Sequence, residues 1–573
     1  MMAAVTSITL GELLGPSAGA HAAARISDLV LDSRDARAGA AFVAVQGGCE
    51  HGLRYAADAL ARGAEAVLYD PEGLDAAAAD PSARSAALVG AAMPPAARAT
   101  AGARFVAVPG LEGRLGQLAQ TLYGPAIGPA DLAGVTGTNG KTTVAYLIAQ
   151  AMTRLGARCG YTGTLGYGVP PELTPHALTT PDCFTLHREL AALGTTRVAL
   201  EVSSHALAQD RIAGLVFGTA AFTNLTRDHL DAHGDLEAYG RAKARLFARD
   251  GLRHAVLNMD DPFAARLAAA LPESVVPIRV SAEAVGGNRL DVTASGEPRG
   301  AGAAHPERDP GAEPAERHRA GGIDIAATVR SRGLGGLELR VTARGGETTR
   351  AAGGKPTAPG IEAGLVSSLI GDFNAENLLV ALGVLVAWQT PLADACAALG
   401  ACAPPPGRLE ILGGGSGAGG GGKLRQPGAP WVVIDYAHTP DGLERVLDVL
   451  GGVAVGEVWC VFGCGGDRDR GKRALMGGIA AAGAQHVLLT DDNPRSEDPA
   501  RIVRDILEGV GPHPSVAVEH DRRAAIARAV RMAKPGDVVL IAGKGHESSQ
   551  LTGGVERPFS DRDAALEILG ELA

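Results

Sequence analysis

The stretch GVTGTNGKTT at residues 134–143 decides the fold of the central part of the chain. A short apolar strand pattern precedes it, and the helical pattern VAYLIAQAM follows it. This order is typical of a phosphate-binding loop, in which backbone N–H groups and the helix N-terminus hold the anion. We therefore predict that nucleotide phosphates bind to Gly137, Thr138, Asn139, Gly140, Lys141, Thr142 and Thr143.

Two side chains of this loop have the chemistry that phosphoryl transfer needs. Lys141 can reach the β- and γ-phosphates, and the hydroxyl of Thr142 can bind Mg²⁺. The common phosphate-loop pattern has a glycine five residues before Gly140, whereas this chain has Val135 there and Gly134 one residue earlier. The alternative is an ordinary glycine turn before a helix. The order of strand, loop, Lys-Thr pair and helix favours phosphate binding.

The length and the apolar runs predict three α/β domains, since a domain usually has about 100–200 residues and the chain has 573. We predict an N-terminal domain at 1–122, a central domain at 123–403 with an ATPase-like parallel sheet, and a Rossmann-like domain at 404–573. Low-complexity stretches predict a mobile insertion at about 296–322 and a flexible glycine-rich loop at about 413–422. The Ala-rich stretch 73–103 is either an insertion or a loose helix.

Composition argues against several classes of protein. With 53 basic and 63 acidic residues the net charge is −10, which is unlike a general nucleic-acid binder. The seven cysteines show no paired CxxC motifs, so we expect reduced thiols rather than a zinc site. The N-terminal residues do not form a good signal peptide, and the apolar run 378–388 is too short to span a bilayer. We expect a cytoplasmic monomer without membrane insertion.

Acidic and histidine side chains follow two further strands of the central block. The segment LEVSSHAL contains Glu201, Ser203 and His205, and TNLTRDHLDAHG contains Asn224, Asp228, His229, Asp231 and His233. Parallel strands bring such residues together at their carboxyl ends, and hard oxygen ligands with a histidine suit Mg²⁺. Judged from the residues alone, Lys243 in AYGRAKARLF is an exposed lysine of a helix.

The third block repeats one pattern, an apolar strand that ends in a polar, glycine-rich loop. The four segments are WVVIDYAHTP, EVWCVFGCGGDRDRGKR, HVLLTDDNPRSEDP and DVVLIAGKGHE. Loops at successive strand ends line a binding crevice, and side chains of both signs can hold a zwitterionic amino acid. The candidate charged residues are Arg468, Lys472, Arg473, Asp492, Arg495, Lys544 and Glu547.

The segments GTNGKTT, EVSSH, NLTRDHLDAH and AKARLF together resemble motifs of the Mur ligase family, ATP-dependent enzymes that form amides through an acyl phosphate. The resemblance covers nearly the whole chain and implies ATP as co-substrate and Mg²⁺ as cofactor. It implies that Lys243 is carbamylated by CO₂, which turns a cation into an anion that can bind the metal. The implied metal ligands are Thr142, Glu201, His229 and carbamylated Lys243, and the implied catalytic residues are Lys141, Lys243, His229 and Glu201.

Further matched segments imply the nucleotide and sugar-peptide contacts. LDSR and LTTPD resemble substrate segments of the family, although from the residues alone the paired threonines could be a turn with a helix cap. The implied contacts of the UDP-sugar peptide are Leu31, Ser33, Thr179, Thr180, Ser203, Gln209 and Arg211, with the loop Gly48, Cys49 and Glu50 beside the UDP. The implied further ATP contacts, shared between the central and third blocks, are Asn377, Arg408, Asp435 and His438.

The string DNPR, with the loops around it, resembles the diaminopimelate-adding class of the family. In that class the arginine, here Arg495, binds the distal carboxylate, which lysine lacks; a site built around such a group discriminates strongly. The implied amino-acid contacts are Arg468, Asp492, Asn493, Pro494, Arg495, Gly543 and Glu547. The implied reaction joins meso-2,6-diaminopimelate to UDP-N-acetylmuramoyl-L-alanyl-D-glutamate in peptidoglycan synthesis.

Four alternatives and one assignment stay open at this point. The base that deprotonates the amine is not assigned, and His205 and Asp228 are the candidates. A lysine-adding ligase conflicts with Arg495, and a folylpolyglutamate synthetase leaves the first block and DNPR unexplained. A kinase or transporter ATPase would turn over ATP without an amino acid. A silent sugar-nucleotide binding protein would not need the intact set Lys141, Thr142, Glu201 and Lys243.

Overall fold

The computed structural model describes residues 6–47, 50–71, 105–226, 230–284, 322–345, 360–413, 429–511 and 515–572. The predicted insertion at about 296–322, the glycine-rich loop at about 413–422 and the Ala-rich stretch lie almost wholly outside them. The chain forms two compact units, one of Met1–Val256 with Asp261–Val275 and the other of Leu257–Asp260 with Val276–Ala573. The division into three domains at 122 and 403 stays a prediction.

The first unit contains a small parallel sheet near its N-terminus. Its strands pair in chain order and are Asp28–Val30, Ala40–Ala44, Ala66–Tyr69 and Phe105–Ala107. A two-stranded sheet, Ile8–Thr9 with Arg25–Ile26, precedes them. The helices are Leu10–Leu14, Ala56–Ala61 and Leu115–Ile127, with 3₁₀ turns at Gly15–His21, Ser33–Asp35, Gly52–Tyr55 and Glu112–Arg114. Apolar side chains cover both faces of this sheet, as expected for parallel strands.

The larger sheet of the first unit is centred on the strand before the phosphate loop. Asp131–Thr136 pairs in parallel with Arg197–Glu201 on one side and Phe217–Phe222 on the other. Cys159–Gly163 follows in parallel, and Gly166–Val169 and Glu172–Thr174 continue antiparallel. The helices here are Lys141–Arg154, Cys183–Leu193, Ser204–Ala208, Leu230–His233, Leu236–Ala244 and Pro262–Ala270, with a 3₁₀ turn at Arg245–Ala248. The parallel sheet that was predicted for the central block is confirmed, and His254–Asn258 is a further predicted strand.

The second unit begins with strands that were not predicted. Val276–Ala284 pairs in parallel with Ile323–Ser331, and Leu337–Gly345 and Ile361–Ser367 continue antiparallel. Alternate residues of Ile323–Ser331 are buried, the pattern of a sheet with one solvated face. The helices Asp372–Ala387 and Leu392–Gly400 follow, and the first of them contains the run that was predicted to be a buried helix.

The rest of the second unit has the predicted Rossmann-like fold. Its six strands, in spatial order, are Glu410–Gly413, Trp431–Asp435, Val538–Ala542, Val458–Phe462, His486–Leu489 and Val516–Val518. All pair in parallel except the antiparallel edge strand Glu410–Gly413. The helices are Pro440–Val453, Gly471–Gly483, Pro499–Val510, Arg522–Met532 and Asp561–Glu571, and a separate hairpin joins Ser549–Thr552 to Val555–Pro558. Because the four polar loops follow parallel strands, they meet at one edge of the sheet.

The described residues contain no helix that is both long and apolar enough to cross a bilayer. Six of the seven cysteines lie in the described part of the chain, and these six are buried free thiols. Burial raises the pKa of the Cys460 thiol to about 12, so this thiol is unreactive.

Candidate functional site

The phosphate loop has the geometry that its glycines predict. Gly137 has φ 150°, and a Cβ there would lie 1.8 Å from Thr223 Oγ1, so a side chain cannot be accommodated without displacement. Gly140 precedes the helix Lys141–Arg154 in the left-handed conformation. The ammonium of Lys141 donates to the carbonyls of Gly137 and Thr138, at 3.0 and 2.9 Å. The lysine therefore lies against the loop, at the N-terminus of the helix.

A second segment, TNLT at residues 223–226, braces this loop from the neighbouring strand. The N–H of Thr138 donates to Asn224 O at 2.8 Å, and the N–H of Asn139 donates to Asn224 Oδ1 at 2.9 Å. Thr223 Oγ1 donates to Asn139 O at 2.6 Å. Asn224 was singled out as one of a polar cluster after a strand, and the structure places it as a support of the phosphate loop.

Glu201 is the centre of a buried set of oxygens beside the phosphate loop. Its carboxylate accepts hydrogen bonds from Thr142 Oγ1 at 3.0 Å and from the Tyr161 hydroxyl at 2.6 Å. The N–H and hydroxyl of Thr164 also donate to it, at 2.9 and 3.2 Å. Glu201 is itself buried, with only 1% of its surface exposed. The Thr142 hydroxyl and this carboxylate form a pair of hard ligands of the kind that Mg²⁺ takes.

Lys243 is buried, so the prediction from the residues alone of an exposed helix lysine is wrong. Its side chain is 1% exposed, and its ammonium donates to Gly137 O at 2.7 Å. The ammonium also lies 4.1 Å from the centre of the Tyr239 ring. The helix Leu236–Ala244 thus brings this amine to the phosphate loop, 106 residues earlier in the chain. Asp228 and His229, two other members of the predicted cluster, lie outside the described residues.

The predicted sugar-peptide contacts of the central block lie together. Thr180 Oγ1 donates to Glu201 O at 2.8 Å and accepts from the Ser203 N–H at 3.1 Å, and the hydroxyls of Thr179 and Thr164 are 3.1 Å apart. Arg211 donates to Thr180 O at 2.9 Å and to the Gln209 side chain at 2.6 and 2.9 Å. The threonines are not the helix cap: Asp182 caps Cys183–Leu193, and Ser203 caps Ser204–Ala208.

Two further histidine contacts lie in the first unit, one between His176 and Glu189 and one between His205 and His233. The ring of His176, which precedes the paired threonines, bonds Glu189 Oε1 at 3.0 Å. Burial lowers the pKa of His176, but the hydrogen bond and charge of Glu189 outweigh this and raise it. The ring centres of His205 and His233 are 5.3 Å apart, and His233 Nε2 lies 3.0 Å from Ser204 Oγ. The His176–Glu189 pair was not predicted from the sequence, because its members are on separate elements.

The predicted uridine residues occupy a strand end in the small parallel sheet. Ser33 is buried, and its hydroxyl donates to Asp58 Oδ2 at 2.9 Å. Leu31 directly follows the strand Asp28–Val30 and is partly exposed. Of the adjoining loop, Glu50 is described and pairs with Arg54, whereas Gly48 and Cys49 lie outside the described residues.

Three of the predicted nucleotide contacts of the second unit surround Tyr436. The Arg408 guanidinium lies 4.9 Å from the centre of the Tyr436 ring, and the His438 ring centre lies 4.5 Å from it. Asp435 accepts from the N–H groups of Leu409 and Ala437, both at 2.8 Å, and burial raises its pKa. Asn377 is buried in its helix, where it donates to Asn374 Oδ1 at 2.9 Å. A role for Tyr436 was not predicted from the sequence.

The predicted amino-acid contacts gather at the carboxyl edge of the second unit's six-stranded sheet. A Cβ on Gly465 would lie 2.9 Å from Arg495 Nη1 and 3.8 Å from Arg468 Cγ, and one on Gly543 would lie 2.7 Å from Asp492 Oδ2. Asn493 Nδ2 donates to Glu547 Oε2 at 2.9 Å. The loops therefore bring Arg468 and Arg495 together beside Gly465 and place Asp492 beside Gly543. That these residues line one crevice for an amino acid stays a prediction of the repeated strand-loop pattern.

Buried cations support these loops, and one of them corrects a prediction. Arg473 was a candidate for binding substrate, but it is fully buried and pairs with Glu497 at 3.0 Å and Asp505 at 2.7 Å. Its role is therefore structural. Lys544 is fully buried as well, and donates to Asn493 Oδ1 at 3.1 Å and to Glu547 Oε2 at 2.8 Å. Burial raises the pKa of Glu547, but these hydrogen bonds and charges lower it overall, so the carboxylate is ionised at neutral pH.

Comparisons with known proteins agree with this geometry. Residues 135–297 match the Mur ligase middle domain, and residues 423–545 match the Mur ligase glutamate ligase domain. The chain is 42% identical over 554 residues to a UDP-N-acetylmuramoyl-L-alanyl-D-glutamate–2,6-diaminopimelate ligase of Alkalilimnicola ehrlichii, covering 95% of both chains. A relative of the same name from Pseudomonas aeruginosa is 41% identical over 547 residues, again covering 95% of both.

Solved structures show the same likeness. A structure of a UDP-N-acetylmuramoyl-L-alanyl-D-glutamate–2,6-diaminopimelate ligase is 30% identical, with a TM-score of 0.59 and 99% of both chains covered. A crystal structure of MurF from Acinetobacter baumannii has the same TM-score at 14% identity, which shows a shared fold alone. The three-domain architecture of such ligases agrees with the predicted fold class.

Proposed function

The chain belongs to the Mur ligase family, and on that premise we propose that it joins meso-2,6-diaminopimelate to UDP-N-acetylmuramoyl-L-alanyl-D-glutamate at the expense of ATP. The crevice that contains Arg495 carries the substrate assignment. Arg468 and Arg495 supply positive charge for two carboxylates, and Asp492 and Glu547 supply negative charge for an ammonium group. Diaminopimelate has such groups at both ends, whereas lysine has no carboxylate at its distal end.

The phosphate loop and Lys141 are the proposed binding site of the ATP phosphates, because the N-terminus of the helix Lys141–Arg154 directs backbone N–H groups and the positive end of the helix dipole toward an anion. Thr142 and Glu201 fit Mg²⁺, because their oxygens lie together, are buried and are hard donors. The proposed set also contains His229 and Lys243, the latter as a carbamate. Bound Mg²⁺ would neutralise charge on the transferring phosphoryl group. Lys243 fits this role because its amine lies at the loop, 2.7 Å from Gly137 O.

The proposed contacts of the sugar peptide are Thr179, Thr180, Ser203, Gln209 and Arg211. The proposed contacts of its UDP part are Leu31 and Ser33. Arg211 offers a planar set of donors to a carboxylate. The hydrogen bonds of Thr180 to the strand end at Glu201 and to Ser203 orient the threonine pair. Four further contacts of ATP stay predictions, namely those with Asn377, Arg408, Asp435 and His438.

The proposed reaction has two balanced steps. An oxygen of the D-glutamate γ-carboxylate attacks the γ-phosphorus of ATP, the bond to the β-phosphate oxygen breaks, and ADP leaves. The amine of diaminopimelate, once it has lost a proton, then attacks the acyl carbon and expels inorganic phosphate to leave the amide. Lys141 stabilises negative charge during the first step. His205 and Asp228 stay the candidate bases of the second. A cytoplasmic location and a monomeric state are part of the same proposal. Size-exclusion chromatography with light scattering tests the monomeric state.

The test is product mass and ADP release with purified protein, ATP, Mg²⁺ and the sugar dipeptide, with meso-diaminopimelate or L-lysine offered separately. Product with diaminopimelate alone supports the proposal. Arg495→Met should then lose most of this product, whereas the control Arg504→Met, at an exposed arginine of the helix Pro499–Val510, should keep the same preference. Product with lysine alone would keep a ligase but refute the assigned amino acid. ADP release that needs neither acceptor would refute the ligase assignment in favour of a kinase or ATPase.

A further inference from the structure

A hairpin outside the main sheets lies against the loop that carries Arg495. Its strands Ser549–Thr552 and Val555–Pro558 pair antiparallel and form a two-stranded sheet of their own. Gly553 and Gly554, both with positive φ, make the two-residue turn that such hairpins favour. A two-stranded hairpin alone is marginally stable in water, so its position depends on what it contacts.

The hairpin contacts the DNPR loop through backbone hydrogen bonds on both sides of Arg495. The N–H of Arg495 donates to Leu551 O at 2.9 Å, and the N–H of Gly553 donates to Arg495 O at 2.6 Å. Arg495 and Thr552 thereby form a parallel β-bridge. This bridge holds Arg495 at φ 55°, a left-handed conformation that a non-glycine residue keeps only when its surroundings impose it.

The same hairpin orients Asp492 and Asn493, the two residues that precede Pro494. The N–H of Leu551 donates to Asn493 Oδ1 at 3.0 Å, and Lys544 donates to the same oxygen at 3.1 Å. With its oxygen held by two donors, the Asn493 amide must turn its NH₂ to Glu547. The side chain of Gln550 donates to Asp492 O at 2.8 Å and reaches Asp491 O at 3.3 Å.

We propose that the hairpin of residues 549–558 determines amino-acid specificity by holding the DNPR loop, and that Gln550 is its positioning residue. The hydrogen bonds of the hairpin go to the loop backbone or to Asn493, so the hairpin fixes the backbone at Arg495 and the amide of Asn493. The Arg495 guanidinium itself donates to Gly466 O at 2.7 Å. Gln550 acts through Asp492. This inference rests on the proposed function, because it takes the crevice to be the diaminopimelate site.

The experiment compares Gln550→Ala with Arg557→Ala in the full-length enzyme. Arg557 is the cross-strand partner of Gln550 and is exposed on the outer strand of the hairpin, so its variant is a matched control. Loss of the donor to a half-buried carbonyl should raise the KM for diaminopimelate about tenfold. The KM for ATP should stay unchanged, and the ratio of kcat/KM for diaminopimelate over lysine should fall. Gln550→Arg, which keeps a long donor, should recover part of the loss.

The outcomes separate this inference from the proposed function. If the wild type adds diaminopimelate and Gln550→Ala behaves like Arg557→Ala, the hairpin has no role in specificity while the function stands. A rise in KM for ATP equal to that for diaminopimelate, with an unchanged ratio over lysine, also overturns it, because a general loss of structure has that signature. If the wild type adds no diaminopimelate, the proposed function fails and this inference fails with it.

Discussion

Arg522 is a buried cation whose removal should destabilise the second unit strongly. Its guanidinium makes two hydrogen bonds with Asp561, at 2.7 and 2.8 Å, and donates to Ala542 O at 3.0 Å. Arg522 is 2% exposed and Asp561 is fully buried. The pair joins the first residues of the helices Arg522–Met532 and Asp561–Glu571 to the end of the strand Val538–Ala542. It therefore lies under the AGKGHE loop.

The change Arg522→Met leaves the Asp561 carboxylate buried without its cation. Breaking a buried ion pair in this way costs about 3–5 kcal/mol. Against a total stability of roughly 5–15 kcal/mol, this loss is large. It corresponds to a fall in Tm of about 5–8 °C for a unit of this size. The double variant Arg522→Met/Asp561→Leu should recover more than half of the loss, since no unpaired charge is then buried.

Urea unfolding followed by tryptophan fluorescence measures this directly, because Trp388, Trp431 and Trp459 all belong to the second unit. Arg523→Met is the matched control: Arg523 pairs with Glu567 at 2.6 Å, but both are about half exposed. Such a pair contributes about 0–1 kcal/mol. A loss below about 1 kcal/mol in Arg522→Met would refute the reasoning from burial. A double variant as unstable as the sum of the single ones would refute the proposed unpaired charge.

Three further predictions follow from the first unit. Gly137→Ala places a Cβ 1.8 Å from Thr223 Oγ1 and should lower ATP affinity by about 100-fold in calorimetric titration. The control Gly113→Ala, at a position where a Cβ meets no atom within 4 Å, should leave the affinity unchanged. An unchanged affinity in Gly137→Ala would contradict the loop geometry. Lys243→Met should lower kcat by at least about 100-fold without lowering Tm. The wild-type protein in ¹³C-labelled bicarbonate should show a carbamate signal by NMR that the variant lacks. Retained turnover in the variant would exclude the metal role of Lys243. Burial lowers the pKa of His187 from 6.5 to about 4, so the unfolded chain takes up a proton as pH falls below 6.5 while the folded chain does not. Stability, measured by urea unfolding and circular dichroism, should fall by about 2 kcal/mol from pH 7 to pH 5; His187→Leu should flatten this dependence, and an unchanged slope in the variant would assign it elsewhere.

Local pattern was enough to predict the strands and loops that carry the chemistry. The phosphate loop and the four strand-loop segments of the third block were predicted because apolar periodicity and glycine placement act over a few residues. Parallel pairing then implies that loops such as DNPR and AGKGHE meet at one edge, as the structure has them. The strands Ile323–Ser331 and Leu337–Gly345 were not predicted.

The residues alone could not predict burial that depends on distant partners. Lys243 has the sequence surroundings of an exposed helix lysine, yet it contacts Gly137 across 106 residues. Arg473 stands beside residues of the amino-acid loops but pairs with Glu497 and Asp505 instead. Gln550 lies in a segment with no strong pattern, and its role depends on a loop 58 residues earlier.

The sequence by itself therefore determined the fold class, the chemistry of the loops and, through the family resemblance, the proposed reaction. Only the tertiary structure decided which charged groups hold the fold, as the fully buried Arg473, which pairs with Glu497 and Asp505, illustrates. The physical reason is that the environment of a charge depends on partners and burial contributed by segments far apart in the chain. Local propensity specifies the elements, whereas these long-range contacts specify where each side chain points.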